Sequence, residues 1–306
     1  MLAQNFSLGD TGQAIGELQE FLKRYGYLSA FDLGTFGGTT VEALQRYQQF
    51  NGLSVTGILD NATAEHISLP RCGVPDNLSS SPVLNFVTTG QQWNKTNLTY
   101  RFNSFTVDLI QEDIQDAFIQ AFNIWSQVTP LTFTLIDTGT PDILIHFVTG
   151  APGEEPFDGA GKDLARATWF YTADNIITSS RINFDDSEQW TVTVPPPNTG
   201  TDLVDLATHE IGHCLGLEHS SIQTAIMRPT FQNGTSQRFL DQDDINGIQS
   251  IYGPRINRGE FYTTDGGGNI SLIANYRNWR KTWQLIVPGN FGGNGATDLL
   301  FYDPTA

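Results

Sequence analysis

The run His209-Glu210-Ile211-Gly212-His213-Cys214-Leu215-Gly216-Leu217-Glu218-His219 constrains this chain more than any other stretch. On a helix, residues four apart stand about 40° apart around the axis and one turn along it. His209 and His213 therefore present their imidazoles to one point. Gly216 tolerates positive φ, so the helix can stop there and the chain can swing back. His219 then reaches the same point. Three neutral imidazoles suit zinc and leave a fourth position open, as a catalytic site needs. Glu210 follows the first ligand immediately. Its carboxylate can take a proton from a water that zinc acidifies to a pKa of about 7.

Two distant features complete the pattern. Ala225-Ile226-Met227 follows the histidines, and Met1 is the chain's other methionine. Far upstream stands Pro70-Arg71-Cys72-Gly73-Val74-Pro75-Asp76. A thiolate is a good zinc ligand and can fill the open position. Gly73 permits close backbone approach, the two prolines stiffen the segment, and Arg71 and Asp76 are placed to pair. Two cysteines make no disulfide framework. Cys214, inside the helix, reads as a small packing residue, although pairing with Cys72 stays open.

An extended HExxHxxGxxH followed by such a methionine is the metzincin signature. Together with the cysteine segment, it makes the chain resemble a matrixin zymogen. Trp93 to Arg101, Pro156-Phe157-Asp158-Gly159 and Leu164-Ala165 also match, so the resemblance runs from about residue 10 to 254. It implies a latent zinc endopeptidase with Glu210 as catalytic base and Cys72 on the zinc. It puts Met227 in a turn beneath the metal. It puts Pro229 and Phe231 in the wall of the main specificity pocket, where tyrosine is commoner than Phe231. Extended protein or peptide substrates would add as a strand beside Leu164 and Ala165, with an apolar side chain entering the pocket. Asp205, one helical turn before His209, is expected near that pocket.

The resemblance also places a structural calcium on Asp158, Asp185 and Glu188, whose hard oxygens suit that ion. A second, structural zinc is a different matter. Its positions fall on Ala151, Gly153, Arg166 and Asn183, none of them the expected ligand. Of five histidines, three serve the catalytic site and His66 lies far upstream. His146 alone remains and reads as a packed or half-exposed strand residue. One zinc is expected, with Arg166 paired to a nearby carboxylate.

The chain's 306 residues exceed one ordinary domain. Residues 1–68 carry helical spacing at Ile15, Leu18, Phe21 and Leu22, and again at Val41, Leu44, Tyr47 and Phe50. With Asp10-Thr11-Gly12 and Gly52 to Gly57 they resemble the peptidoglycan-binding-like three-helix module that matrixin propeptides carry. Residues 69–82 form a Pro- and Ser-containing linker that holds the cysteine. Residues 83–254 mix strands and helices without a βαβ repeat. They read as an α+β, zincin-like domain with a mixed β-sheet and three helices. Residues 260–306 resemble one FG-GAP or VCBS-type β repeat, and one such unit cannot close a propeller ring.

A formal charge of −17 argues against nucleic acid and anionic membranes as partners. No apolar run is long enough to span a bilayer. Met1 to Asp10 lack the features of a secretory signal, so an extracellular or cell-envelope protein would leave by another route or with a leader outside this sequence. A monomer is expected. Two other classes fit part of the text. One is a binding protein, attached to cell-wall glycan or to a partner, with a degenerate protease domain. The other is a zinc hydrolase acting on the wall itself. The intact histidines and Glu210 weigh against the first, the cysteine segment and methionine against the second.

Overall fold

A computed structural model describes residues 6–76, 86–149, 156–232, 234–255, 258–264, 270–277, 285–289 and 298–302. Ala151, Gly153 and linker residues 77–82 lie outside them. Two compact units divide the chain, 1–253 and 254–306.

The first unit opens with three helices, α1 (Gln13–Arg24), α2 (Gly38–Phe50) and α3 (Asn61–Ile67). Ile15, Leu18, Leu22, Leu44 and Tyr47 are fully enclosed in a core of their own. Gln19 and Gln48, also buried, hold the loops: Gln19 bonds Asp32 O, Thr35 O and Gly34 N, and Gln48 bonds Ile58 O, Thr56 N and Gly57 N. Buried side-chain amides thus satisfy turn backbone that water cannot reach.

The strands that follow are β1 (Arg71–Cys72), β2 (Asn97–Phe102), β3 (Thr132–Leu135), β4 (Ile143–Val148), β5 (Asp163–Tyr171) and β6 (Ile177–Asp185). They form one mixed sheet in the order β1-β5-β6-β4-β2-β3. Only β5 and β6 run antiparallel; the other neighbours are parallel. The cysteine segment is thus itself a strand, added at the β5 edge. β4 alternates buried and half-buried residues, with His146 among the half-buried ones. That is the signature of a strand with one face in the core.

Helix α4 (Gln111–Val128) turns Ile114, Ala117, Phe118, Ala121, Phe122 and Trp125 onto the sheet. It begins four residues later than Val107, where the apolar pattern starts; Val107 and Ile110 are exposed. Two short strands, β7 (Trp190–Thr191) and β8 (Thr201–Asp202), pair with each other and lead into α5 (Leu203–Cys214). All twelve residues of α5 are buried. A helix enclosed all round needs its ends satisfied by protein. At its start the Asp202 side chain accepts the Val204 N–H. At its end Trp93 Nε1 donates to Cys214 O and Tyr252 Oη to Leu215 O. Helix α6 (Gln242–Tyr252) closes the unit, capped by a reciprocal Asp241 and Asp244 box.

The second unit contains two antiparallel hairpins. β9 (Arg258–Thr264) pairs with β10 (Ile270–Arg277), and β11 (Leu285–Gly289) with β12 (Asp298–Tyr302).

Candidate metal centre and its latch

Helix α5 ends as its glycine requires. Gly216 has φ 99°, and Leu217 N donates to Gly212 O while Gly216 N donates to His213 O. This Schellman-type ending swings the chain so that His219 faces His209 and His213. A Cβ at Gly216 would stand 2.4 Å from Gln91 O, so space as well as φ demands glycine.

Each ring nitrogen facing away from the centre has an acceptor. His209 Nδ1 meets Ile226 O at 2.8 Å, His213 Nδ1 meets Leu217 O at 2.8 Å, and His219 Nδ1 meets Asp76 Oδ1 at 2.6 Å. Carbonyl and carboxylate oxygens only accept, so each Nδ1 carries the proton and each Nε2 presents a lone pair inward. Burial, then neighbouring imidazoles, hold His209 and His213 well below the usual histidine pKa. Neutral rings are the metal-binding form.

Cys72 Sγ and the three histidines are fully buried, with ligand atoms all within 4.8 Å of one another. His209 Nε2 and His213 Nε2 are 3.1 Å apart, and Cys72 Sγ is 3.6 Å from His213 Nε2. Tetrahedral zinc with ordinary bond lengths sets these edges at about 3.3 and about 3.6 Å. His219 Nε2 is buried without a hydrogen-bond partner, as expected of a ligand atom. The four donors fit zinc. Among the described residues no other cluster of this kind occurs.

Glu210 is fully buried, and neither carboxylate oxygen has a hydrogen-bond partner. Burial raises its carboxyl to about 8. Burial, and next the Glu210 charge, push the Cys72 thiol up as well. A dication at the centre reverses this, because coordination deprotonates a thiol. Cys214 is a free, buried thiol.

Met227 belongs to the turn that carries the acceptor for His209. Asp244, from α6, accepts the Ile226 and Met227 N–H groups at 2.8 and 3.0 Å. The Met227 side chain lies against Gly212, where a Cβ would meet its sulfur at 2.4 Å.

The cysteine is held between two backbones. Arg71 N donates to Lys162 O and Gly73 N to Ala165 O on one side; Cys72 N donates to Pro229 O and Phe231 N to Pro70 O on the other. Ala165, Pro229 and Phe231 therefore flank the cysteine segment, with Leu164 next to Ala165 on β5. Arg71 Nη2 bonds Asp76 Oδ1 at 2.8 Å, with its guanidinium 3.5 Å from the Tyr25 ring centre. Tyr27 Oη donates to Asp76 Oδ2 at 2.6 Å. Arg24 and the Tyr25 hydroxyl bond Asp163, which is fully buried at the start of β5, and Arg166 Nη2 joins them at 3.1 Å. The end of α1 and the loop after it thus grip both the cysteine segment and the sheet edge. Sequence reasoning missed Arg24, Tyr25, Tyr27 and Asp163, since aromatic and charged residues near a helix end carry no pattern of their own.

Asp158, Asp185 and Glu188 surround the 158–163 loop without forming a metal-sized cluster. Glu188 Oε1 accepts from Gly161 N at 2.5 Å, and Asp158 Oδ1 from Asp163 N at 3.2 Å. Asp185 Oδ2 is buried without a partner. Burial, then Asp185 and Asp158, push Glu188 up to about 7. Arg166 and Asn183 face each other across β5 and β6, with His146 beside Asn183 on β4.

A buried HExxH helix beside a mixed sheet, with a third histidine past a glycine and a methionine turn beneath, defines a zinc metallopeptidase domain of the metzincin kind. The chain belongs to the matrixin family, whose model matches residues 92–253. A peptidoglycan binding domain model matches residues 11–67. The chain is 42% identical to interstitial collagenase of Sus scrofa over 253 residues, 80% of this chain and 50% of that one. It is 41% identical to stromelysin-1 of Mus musculus over 246 residues, 77% and 48%. With matrix metalloproteinase-18 of Xenopus laevis the identity is 42% over 250 residues, 78% and 50%. The chain spans about half the length of these relatives. Membership carries the matrixin cofactors, catalytic zinc and structural calcium.

Proposed function

We propose that this protein is a latent endopeptidase that cleaves extended protein substrates and is held inactive by its own Cys72. The observation that carries this reading is the four-donor cluster of Cys72, His209, His213 and His219 with zinc-sized spacings. When bound, zinc supplies Lewis-acid polarisation of the scissile carbonyl and acidifies the attacking water. Glu210 takes that water's proton and returns it to the leaving amine. The backbone groups of Ala165, Pro229 and Phe231, engaged by the switch strand in the latent form, hold the substrate strand after it leaves. Asp158, Asp185 and Glu188 bind the structural calcium and brace the loop leading into β5.

Release follows cleavage in the linker near residues 75–85 or modification of the thiol. Residues 1–68 serve as prodomain, 69–82 as switch linker, 83–254 as catalytic domain, and 260–306 as one FG-GAP or VCBS-like repeat. We place the protein outside the cell or in its envelope, as a monomer. Among the described residues no helix is long and apolar enough to cross a membrane.

The test is hydrolysis of quenched peptides and casein by the zinc-loaded chain, by Cys72→Ser, and by Cys72→Ser with Glu210→Ala. Activity in the single variant alone supports the reading. Zinc bound one per chain with no cleavage by any form removes it. The peptidoglycan binding match over residues 11–67 favours a second role, glycan attachment, which cosedimentation with purified cell wall checks.

A further inference from the structure

Backbone hydrogen bonds seat the cysteine segment between its two neighbours, and the thiol takes no part in them. Arg71 N and Gly73 N donate to Lys162 O and Ala165 O, Cys72 N donates to Pro229 O, and Phe231 N donates to Pro70 O. Opening the Cys72 sulfur alone leaves all of these in place. A further attachment stands at the start of β5, where Asp163 is fully buried. Its carboxylate accepts from Arg24 and from the Tyr25 hydroxyl, both at the end of α1, and from Arg166 Nη2 of its own strand at 3.1 Å. Arg24 Nη1 also lies 3.9 Å from Asp158 Oδ2.

Tyr25 joins this point to the cysteine segment. Asp76 N donates to its carbonyl at 3.0 Å, and the Arg71 guanidinium lies 3.5 Å from its ring centre. One residue therefore holds the sheet edge by its hydroxyl and the cysteine segment by its backbone and ring. Departure of the N-terminal helical domain trades charge-assisted bonds, strengthened by burial, for bonds to water. In the uncut chain that domain stays tethered, so re-docking is intramolecular and even a modest contact keeps it down. The contact is also reversible. The Arg24 side chain is 30% exposed, and Arg24 and Tyr25 line a cleft of about 940 Å³ that Asp158 and Lys162 bound as well. Solvent stands beside the ion pair, so it can break without unfolding either side.

Building on the peptidase reading above, we infer that Arg24 and Tyr25, closed on Asp163, form a second latch that does not depend on the thiol. Opening the Cys72 thiol starts release. The contact with Asp163 then keeps returning the cysteine segment to its place over the metal centre until the linker is cut or the contact itself breaks. Full activity of the uncut chain requires both latches to open.

The experiment compares two zinc-loaded full chains on one quenched peptide: Cys72→Ser, and Cys72→Ser with Arg24→Met and Tyr25→Phe. Each carries a site for a sequence-specific protease inserted between Ser79 and Ser80 and is assayed before the cut and after removal of the N-terminal piece. The cut products are identical, so a difference before the cut belongs to the hold of the N-terminal domain. Uncut Cys72→Ser should reach at most about one-tenth of its cut rate, and Arg24→Met with Tyr25→Phe should raise the uncut rate at least about tenfold. Arg24→Lys, with Tyr25 kept, should stay near the Cys72→Ser chain. Equal rates for cut and uncut Cys72→Ser would make the thiol the sole latch and overturn the inference. A gap that survives Arg24→Met with Tyr25→Phe overturns it too, as does a rise in Arg24→Lys as large as theirs, which would mean a loosened fold. All three outcomes leave the peptidase reading standing. Cut chains that hydrolyse neither peptide nor casein overturn that reading itself.

Discussion

His219 Nδ1 donates to Asp76 Oδ1 at 2.6 Å, so the segment that brings Cys72 to the candidate metal centre also orients one of its histidines. Asp76 is buried and also receives Arg71 and Tyr27. Two of its partners come from outside the catalytic domain, and its carboxyl is held far below the usual range even though burial opposes this, by Arg71 and then His219. The cysteine segment and the geometry of the third histidine are therefore joined through one carboxylate.

Asp76→Asn tests that joint. It leaves the Arg71 charge buried without its counter-ion, and breaking such a pair costs about 3–5 kcal/mol. It also weakens the group behind His219, a change that typically lowers metal affinity about 10–100-fold. The zinc-loaded variant should melt at lower temperature and surrender zinc to a chromogenic chelator faster than the parent. An unchanged release rate would mean that Asp76 acts only as a salt-bridge partner.

Glu210→Gln separates binding from chemistry. The carboxylate lies beside the ligand cluster and is not part of it. The Cys72→Ser chain with Glu210→Gln should retain one zinc per chain by elemental analysis while hydrolysis falls about 10²–10⁴-fold. Loss of zinc in this variant would recast Glu210 as a structural group.

Legibility in the sequence followed the range of each interaction. His209, His213, Gly216 and His219 were readable because helix geometry and one left-handed residue fix them locally. The helices of residues 1–68 were readable from periodicity, whereas Val107 and Ile110 continue the apolar pattern of α4 yet face solvent ahead of its first turn. Arg24 and Tyr25 meeting Asp163 was not, since nearly 140 residues separate the partners and neither end repeats. Asp205 could be placed near the pocket by counting one turn back from His209. Its partner Arg228 could not, because a loop brings it there.

Calcium should stabilise the fold through the 158–188 region. Asp185 Oδ2 has no partner, and burial with neighbouring carboxylates raises both Asp185 and Glu188. A divalent cation relieves that repulsion. At 100-fold over its dissociation constant, a ligand adds about 2.7 kcal/mol. Thermal melts should rise with calcium in the parent and stay flat in Glu188→Gln. Equal rises in both would exclude Glu188 as a ligand.

His66 should make the N-terminal helical domain sensitive to mild acid. Burial, then Arg71, lowers its pKa to about 4, and Tyr47 Oη lies 2.7 Å from its Nδ1. Above about pH 6.5 the ring is neutral in both folded and unfolded chains, and its contribution is fully present. As pH falls towards 4, only the unfolded chain takes up the proton, so stability declines and then levels off. Allowing for the partial exposure of the ring, the loss is about 2 kcal/mol. Denaturation from pH 7 to 4 should show His66→Gln losing less than the parent by about that amount. Parallel curves would show that the ring's burial is not felt.

Gly73→Ala should loosen the latch without touching the cysteine. A Cβ there would stand 2.7 Å from Arg166 Nε and 2.9 Å from Asp163 Oδ2. Both neighbours are already committed, Arg166 to Asp163, and Asp163 to Arg24 and Tyr25. The easier movement is therefore of the switch strand away from β5, which lengthens the Gly73 N to Ala165 O bond of 2.8 Å and draws Cys72 off the metal. The zinc-loaded, uncleaved variant should hydrolyse peptide at least about tenfold faster than the uncleaved parent, equivalent to about 1.4 kcal/mol of lost latency. Its Cys72 should also alkylate faster with iodoacetamide. Faster alkylation and faster hydrolysis together identify displacement of the thiol as the event that opens the site. Parental rates in both assays would show that the sheet edge yields instead of the switch strand.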